Sequence, residues 1–276
     1  MRVAVITPVS GRHAHLHLQR RGLQAGTVRP VLHVVAAMGD TGVARELVGE
    51  LSTVVHDVTK IDGSLPLARA RNEGAQQAIA AGAELLVFLD VDCVPGSRMI
   101  ERYVGAASVA IGADPPSLLC GPVAYLAPPP AGGYRLELMP YGAAGHPARP
   151  VPPDGAVIRG GSHELFWSLS FALLAPVWDQ IGGFDERYTG YGAEDTDFGQ
   201  RAALNGVRLD WIGGAWAYHQ FHPSADPPVQ HLADILRNAQ TFRRRWGWWP
   251  MSGWLRAFEQ RGIATYDADS DRWLAT

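Results

Sequence analysis

Only two of the 276 residues are cysteine, Cys93 and Cys120, too few for a disulfide framework or a cysteine-built zinc site. Both flank apolar, strand-like segments, which fits a reducing compartment. No apolar stretch is long enough to span a bilayer. The opening residues, Met1-Arg2-Val3-Ala4-Val5-Ile6-Thr7-Pro8, read as a first strand and not as a signal peptide. A cytoplasmic protein is therefore expected, with peripheral contact at the inner face of the membrane as an option. An excess of positive charge is also missing: the net charge is −3, so a nucleic-acid partner is not expected. No internal repeat is visible. Against these absences stands an apolar fraction of 47%, enough to build a sizeable core and to exclude global disorder.

Strand and helix signals alternate through the first half. Val3–Thr7, Pro30–Ala37, Ser52–Val58 and Leu85–Leu89 are short apolar, β-rich runs. Between and after them, residues 12–25, Leu67–Ala81 and Gly96–Ile111 have helical composition. This alternation predicts an α/β fold whose mostly parallel sheet is covered by helices on both faces. In such sheets ligands bind at the carboxyl ends of the strands, where Asp40 and Asp90-Val91-Asp92 both fall. The second half differs. Residues 128–161 are rich in proline and glycine and read as a long loop or lid. Leu165–Leu174, Arg208–Ile212 and Ala215–Phe221 are strand candidates. Pro176–Ile181, Glu194–Leu204, 229–245 and 251–262 are helix candidates, and 267–276 reads as a polar tail.

Two acidic clusters carry the chemistry. Asp90-Val91-Asp92 follows the apolar run Leu85–Leu89. Alternate residues on a strand face opposite sides, so the two carboxylates share a direction only where the strand ends, and Pro95-Gly96 supply that turn. Paired carboxylates there suit a Mg²⁺ or Mn²⁺ ion carrying a diphosphate. The plain alternative is an aspartate pair capping the next helix. The second cluster runs through Gly182-Gly183-Phe184-Asp185-Glu186 to Gly190-Tyr191-Gly192-Ala193-Glu194-Asp195-Thr196-Asp197. A glycine-hinged loop ending in Glu-Asp suits a hydroxyl acceptor with a base beside it, although acidic residues also suit a helix start. Together the clusters suggest sugar transfer from a nucleotide-sugar.

The stretch Leu67-Ala68-Arg69-Ala70-Arg71-Asn72-Glu73-Gly74, followed by Leu86-Val87-Phe88-Leu89-Asp90-Val91-Asp92, resembles the family-2 glycosyltransferases of the GT-A fold. Gly182 to Asp197 resembles the C-terminal motif of the β-1,4-galactosyltransferase group, with Tyr191 where a tryptophan is usual. The resemblance covers roughly residues 1–222. It implies a Rossmann-like sheet and one continuous domain in three stretches: 1–127 for the nucleotide-sugar, 128–225 for the lid loop and acceptor half, and 226–276 as a helical extension. It implies a metal-dependent hexosyl transfer from a nucleoside-diphosphate-sugar, UDP favoured, to a saccharide, glycolipid or small-molecule hydroxyl, with inversion. Thr7, Pro8, Asp40, Arg71 and Asp90 lie where such enzymes bind the donor. Asp92 resembles the direct metal ligand, Asp90 meets ribose or the metal through water, and a later histidine, His219 before His222, supplies a third ligand. Asp195 is the implied base. Glu194, with Tyr191 and Gly192, is implied to bind the acceptor.

Other features have plainer readings. Arg71 is otherwise a solvated or ion-paired helix residue. Asp185 and Asp197 brace the loop. His13, His15 and His17 cannot share one helix face and are expected in solvent. Arg243-Arg244-Arg245 with Trp246-Gly247-Trp248-Trp249 docks on a membrane surface, stacks on a sugar acceptor, or packs its tryptophans on the domain with the arginines in water. A nucleotidyltransferase would carry a glycine-rich loop after the first strand, of which Ser10-Gly11-Arg12 is a faint version. Fold and the Asp-x-Asp turn do not fix stereochemistry, so a retaining transferase is an alternative; a non-catalytic nucleotide-sugar- or carbohydrate-binding protein of the same fold is another, against which the two acidic motifs and the histidine argue.

Overall fold

A computed structural model describes residues 1–47, 49–142 and 144–276. The first half contains β1 (Val3–Val9), α1 (His13–Ala25), β2 (Leu32–Met38), β3 (Thr53–Val58), α2 (Leu67–Ala80), β4 (Leu85–Leu89), β5 (Cys93–Pro95), α3 (Met99–Ala110), β6 (Ser117–Cys120) and β7 (Val123–Tyr125). The second half adds β8 (Ala144–Gly145), β9 (Val157–Gly161), β10 (Ser170–Leu174), α4 (Ala175–Ile181), α5 (Glu194–Leu204), β11 (Arg208–Ile212) and β12 (Ala217–His219). It ends in α6 (Leu232–Trp246), α7 (Ser252–Gln260) and the hairpin of β13 (Ala264–Asp267) with β14 (Arg272–Ala275).

The central sheet has eight strands in the order β3-β2-β1-β4-β10-β6-β11-β9. β3, β2, β1 and β4 are parallel, as are β6 and β11; β10 runs antiparallel between β4 and β6. Strand alternation divides the core. Ala4, Ile6, Leu86 and Phe88 pack with Ala75 of α2, Trp178 of α4 and Phe198 of α5. Val3, Val5, Leu85 and Val87 pack on the opposite face with Leu23 of α1 and Tyr103 of α3. Both faces are covered, so these strands read as unbroken apolar runs.

A smaller sheet, β5-β12-β7-β8, lies beyond the carboxyl end of β4. β12 pairs antiparallel with β5, placing His219 opposite Cys93. The strand expected over Ala215–Phe221 is therefore shorter than its apolar run, because only this segment has partners on both sides.

Three segments depart from the sequence reading. Within the expected loop 128–161, Val157–Gly161 pairs with β11 and closes one edge of the central sheet. Its side chains are mostly exposed, so no alternation marks it. Leu165–Leu174 becomes a strand only at Ser170, since His163–Leu165 makes one helical turn first. The expected polar tail 267–276 is half of a hairpin: Ala264 is buried, and Trp273 packs against the cluster of Ile235, Leu255 and Phe258. None of the described helices is long and apolar enough to cross a membrane.

α2 crosses β1 closely at Gly74, where an added Cβ would lie 2.5 Å from Ile6 Cγ2. Ile6 is branched at Cβ and buried in a strand, so this methyl cannot swing aside. We expect Gly74→Ala to destabilise the protein by about 1–3 kcal/mol in urea unfolding. Gly105 of α3 has nothing within 4 Å of a built Cβ, so Gly105→Ala should gain up to ~1 kcal/mol. Equal effects of the two changes would contradict this packing.

Candidate active site

β1 lies between β2 and β4, so the loops after these three strands open around one crevice. A buried polar chain holds its floor. Gln19 of α1 donates from Nε2 to the carbonyls of Asp90 (2.7 Å) and Cys93 (3.1 Å), bracketing the Asp-Val-Asp turn. Gln19 Oε1 accepts from Thr7 Oγ1 at 3.0 Å, and His33 Nε2 lies 3.1 Å from the same hydroxyl. Arg20 Nη1 sits 3.1 Å from His33 Nδ1. Burial, then the Arg20 charge, pushes His33 down to about 3, so its ring is neutral.

Asp92 is the convergence point at the crevice. Its Oδ2 accepts from Arg12 Nη1 and lies 3.5 Å from Nε2 of both His219 and His222. The register of β12 against β5 accounts for His219, and the Gln220 N–H donates to the Asp92 carbonyl at 2.7 Å. Burial works to raise the Asp92 carboxyl, but His222, His219 and Arg12 outweigh it and hold it low. Burial lowers His219, which favours a neutral ring. Asp92, His219 and His222 each offer a ligand atom, all within 4.8 Å of one another. One carboxylate and two imidazoles fit a divalent cation of the Mn²⁺ type.

Arg71 of α2 joins the two acidic clusters. It is 2% exposed; its Nη2 lies 3.0 Å from Asp90 Oδ1 and its Nη1 3.3 Å from Glu194 Oε1. Its guanidinium also stands over the Phe184 ring, 5.2 Å from the centroid. Of the two plain readings of Arg71, the solvated one is excluded and the ion-paired one holds: Leu67–Ala80 turns this residue inward beneath both loops. Asp90 is half-buried, and burial raises its carboxyl to about 6 against the pull of Arg71.

Asp195 stands at the start of α5, after Ala193 in the left-handed region with φ 72°. Its Oδ1 accepts from the Thr196 N–H at 2.7 Å. No other partner holds its second oxygen among the described residues. Burial, then the neighbouring Glu194 carboxylate, pushes Asp195 up to about 7. This is the range in which a carboxylate takes and returns a proton near neutral pH.

The helical extension holds the loop that carries Asp195. Asn238 of α6 donates from Nδ2 to the carbonyls of Thr189 (3.0 Å), Tyr191 (3.2 Å) and Gly192 (3.0 Å). Gly190, at φ 73°, lets the chain pass Asp234: a Cβ there would lie 2.1 Å from Asp234 Oδ2. Asp197 is fully buried and accepts from Trp246 Nε1 at 2.8 Å and Tyr188 OH at 3.2 Å. Asp185 pairs with Arg187 and Arg245, so it and Asp197 both brace the loop. Trp248 packs on Phe242, Trp249 on Tyr266 and Trp254 on Tyr191, so the basic-aromatic segment packs on the protein.

The residues named from sequence divide into those that face the crevice and those beneath it. Arg71 joins Asp90 to Glu194, Asp92 meets His219, and Asp195 follows Glu194, with Tyr191 and Gly192 on the adjoining loop. Thr7 is fully buried and its hydroxyl is committed to Gln19 and His33, and Pro8 is buried within β1. These two support the crevice and do not line it with side chains. Asp40 accepts from the Gly11 N–H at 2.6 Å and meets His13 Nε2 at 2.9 Å. Burial opposes it, but these bonds hold the Asp40 carboxyl low. The histidines expected in solvent also divide: His13 meets Asp40, and His15 approaches His222 edge-on at 6.5 Å, while His17 is exposed. Sequence reasoning missed Arg12, Gln19 and Asn238. A cation directly after Gly11 at a strand end was the available signal for Arg12; a polar residue on an otherwise buried helix face was the signal for the other two.

A family model described as the N-terminal domain of galactosyltransferase matches residues 164–222, from the turn before β10 through His222. Validoxylamine A glucosyltransferase of Streptomyces hygroscopicus subsp. limoneus is 25% identical over 272 residues, 88% of this chain and 56% of that protein. N-acetylglucosaminyl-diphospho-decaprenol L-rhamnosyltransferase of Mycobacterium tuberculosis is 34% identical over 88 residues, 30% of this chain and 28% of that protein. The chain spans about half the length of the validoxylamine glucosyltransferases it matches. Among solved structures, S. aureus TarS 1-349 in complex with UDP-GlcNAc superposes with a TM-score of 0.60 at 14% identity, covering 95% of this chain and 78% of that one. The same protein in complex with UDP gives 0.59 at 16% identity, with the same coverage. At such identity the likeness is one of architecture: this chain has the GT-A-type α/β fold of the TarS structures.

Proposed function

We propose that this protein is a metal-dependent glycosyltransferase that moves a hexose from a nucleoside-diphosphate-sugar to a hydroxyl acceptor with inversion. The observation that carries the reading is Arg71, whose one guanidinium holds Asp90 at 3.0 Å and Glu194 at 3.3 Å. This supports a reading in which a cation-and-diphosphate site beside Asp90 and an acceptor site beside Glu194 work together. The named sequence relatives, a glucosyltransferase and a rhamnosyltransferase, support sugar transfer. The UDP and UDP-GlcNAc complexes of TarS support a UDP-sugar donor.

Asp92, His219 and His222 would hold Mn²⁺ in preference to Mg²⁺, since two imidazoles suit the softer ion. When bound, the ion supplies positive charge against the departing diphosphate. Glu194 accepts a hydrogen bond from the acceptor and orients it. Asp195 takes the hydroxyl proton as the oxygen bonds to the anomeric carbon and the bond to the diphosphate breaks on the opposite face. Direct displacement inverts the anomeric centre, and a base poised near neutrality suits it.

The deciding experiment is nucleoside-diphosphate release from UDP-, GDP- and dTDP-sugars, with Mn²⁺ or with EDTA. Release from a UDP-sugar, lost in EDTA and in Asp92→Ala, is the expected result. Release that survives EDTA would remove the metal from this reading. Absence of both release and calorimetric binding for every donor would remove the transferase.

Asp195→Asn should lower kcat/KM by about 10²–10⁴ while donor binding persists. The wild-type kcat/KM should rise with pH through about 7, because the base must be ionised; a rise of the same shape in the residual activity of Asp195→Asn would reassign it. The stability effect has the opposite sign. The folded Asp195 binds its proton more tightly than the unfolded chain, so its ionisation destabilises the fold as pH rises from about 4 to 7. Asp195→Asn should therefore melt at the wild-type temperature or above it at pH 8.

A further inference from the structure

Arg12 lies on the same carboxylate oxygen as the two candidate metal-binding imidazoles. Its Nη1 donates to Asp92 Oδ2, the atom 3.5 Å from both His219 Nε2 and His222 Nε2. The turn beneath it is built for this placement. Gly11 and Arg12 are both left-handed, with φ 63° and 53°, a conformation uncommon for a side-chain-bearing residue. Asp40 fixes that turn through the Gly11 N–H at 2.6 Å and His13 Nε2 at 2.9 Å. The Arg12 side chain is still 39% exposed, against 12% for Asp92, so the guanidinium is free to swing outward.

Arginine stays charged at every accessible pH. A divalent cation approaching Asp92, His219 and His222 therefore meets a fixed like charge on the oxygen it needs. A nucleoside diphosphate changes that balance, because its several negative charges accept both the cation and a guanidinium, whose planar fork matches phosphate oxygens. We propose that Arg12 is the resident counter-charge of Asp92, that a divalent cation must displace it, and that the displaced guanidinium then engages the donor's diphosphate. Cation and nucleotide consequently bind cooperatively, each raising the affinity of the other by the same factor. This deepens the transferase reading and rests on Asp92 being a cation ligand.

The test is calorimetric titration of the full chain with Mn²⁺, without nucleotide and then with saturating UDP, in wild type, Arg12→Gln and Asp92→Asn. Mn²⁺ binding to wild type that is lost in Asp92→Asn establishes the ligand. Arg12→Gln should then bind Mn²⁺ alone about three- to tenfold more tightly than wild type, the size of a partly exposed ion pair. UDP should raise the Mn²⁺ affinity of wild type several-fold and that of Arg12→Gln much less. Unchanged or weaker Mn²⁺ binding by Arg12→Gln overturns the counter-charge role. Equal enhancement by UDP in both proteins overturns the transfer to the diphosphate. No Mn²⁺ binding to wild type overturns the metal reading and this inference with it. Should Arg12→Gln not fold, Arg12→Gly suits the left-handed turn and makes the same comparison.

Discussion

The site depends on one buried guanidinium. Arg71 is 2% exposed, and its charge is balanced by two carboxylates from segments a hundred residues apart in sequence. Burying a cation is costly unless it is paired and hydrogen-bonded, and losing one member of such a set costs about 3–5 kcal/mol. The cost explains the division of labour around it. Asp90 and Glu194 pair with Arg71, while Asp92 and Asp195, a residue or two further along the chain, have other partners: Arg12 and two histidines for Asp92, Thr196 for Asp195. The inner pair ties the two loops to one guanidinium.

The same logic governs the floor. Asp92 points correctly only if the turn after β4 is rigid, and Gln19 makes it so by bonding the carbonyls on either side of that turn. Gln19 is in turn fixed by Thr7, and the Thr7 hydroxyl is shared with a neutral His33. A charged ring there would place a second cation beside Arg20 in the interior, so the low His33 pKa is part of the scaffold. The two sides of the crevice differ in kind. The Asp92 side is set by strands and a helix of the central α/β unit. The Asp195 side is a glycine-hinged loop held from outside by α6.

Much of the first half was legible because parallel strands buried on both faces leave unbroken apolar runs, and the helices between them keep their own composition. The acidic turn at Asp90–Asp92 was legible for the same reason: it follows such a run. The later elements were less so. β9 carries two glycines and an arginine on an exposed edge, and β14 belongs to a short hairpin whose inward residue is Trp273. Neither has a period to read. Thr7 falls near a strand end, but which way its hydroxyl turns depends on Gln19 and His33, which come from other elements. Helical spacing separates the histidines at 13, 15 and 17, yet it cannot show what each one meets. Those surroundings are set by Asp40 and His222, far away in sequence.

The extension at 226–276 shows why spacing alone understates a site. Gly190, Tyr191 and Gly192 have no regular structure to fix them, and glycine gives the segment more unfolded freedom to lose. Asn238 offsets that cost with one buried amide shared among three loop carbonyls, and Asp234 fills the space that a Gly190 side chain would take. Trp246 reaches Asp197 on the first turn of α5, so the same helix that holds the loop also holds the helix that begins with Asp195. The segments on either side of Asp195 are thus held by residues forty and more positions later in the chain. A change in α6 remote from Asp92 would still reach the loop before Asp195 and the first turn of α5, while leaving the Gln19-supported floor in place.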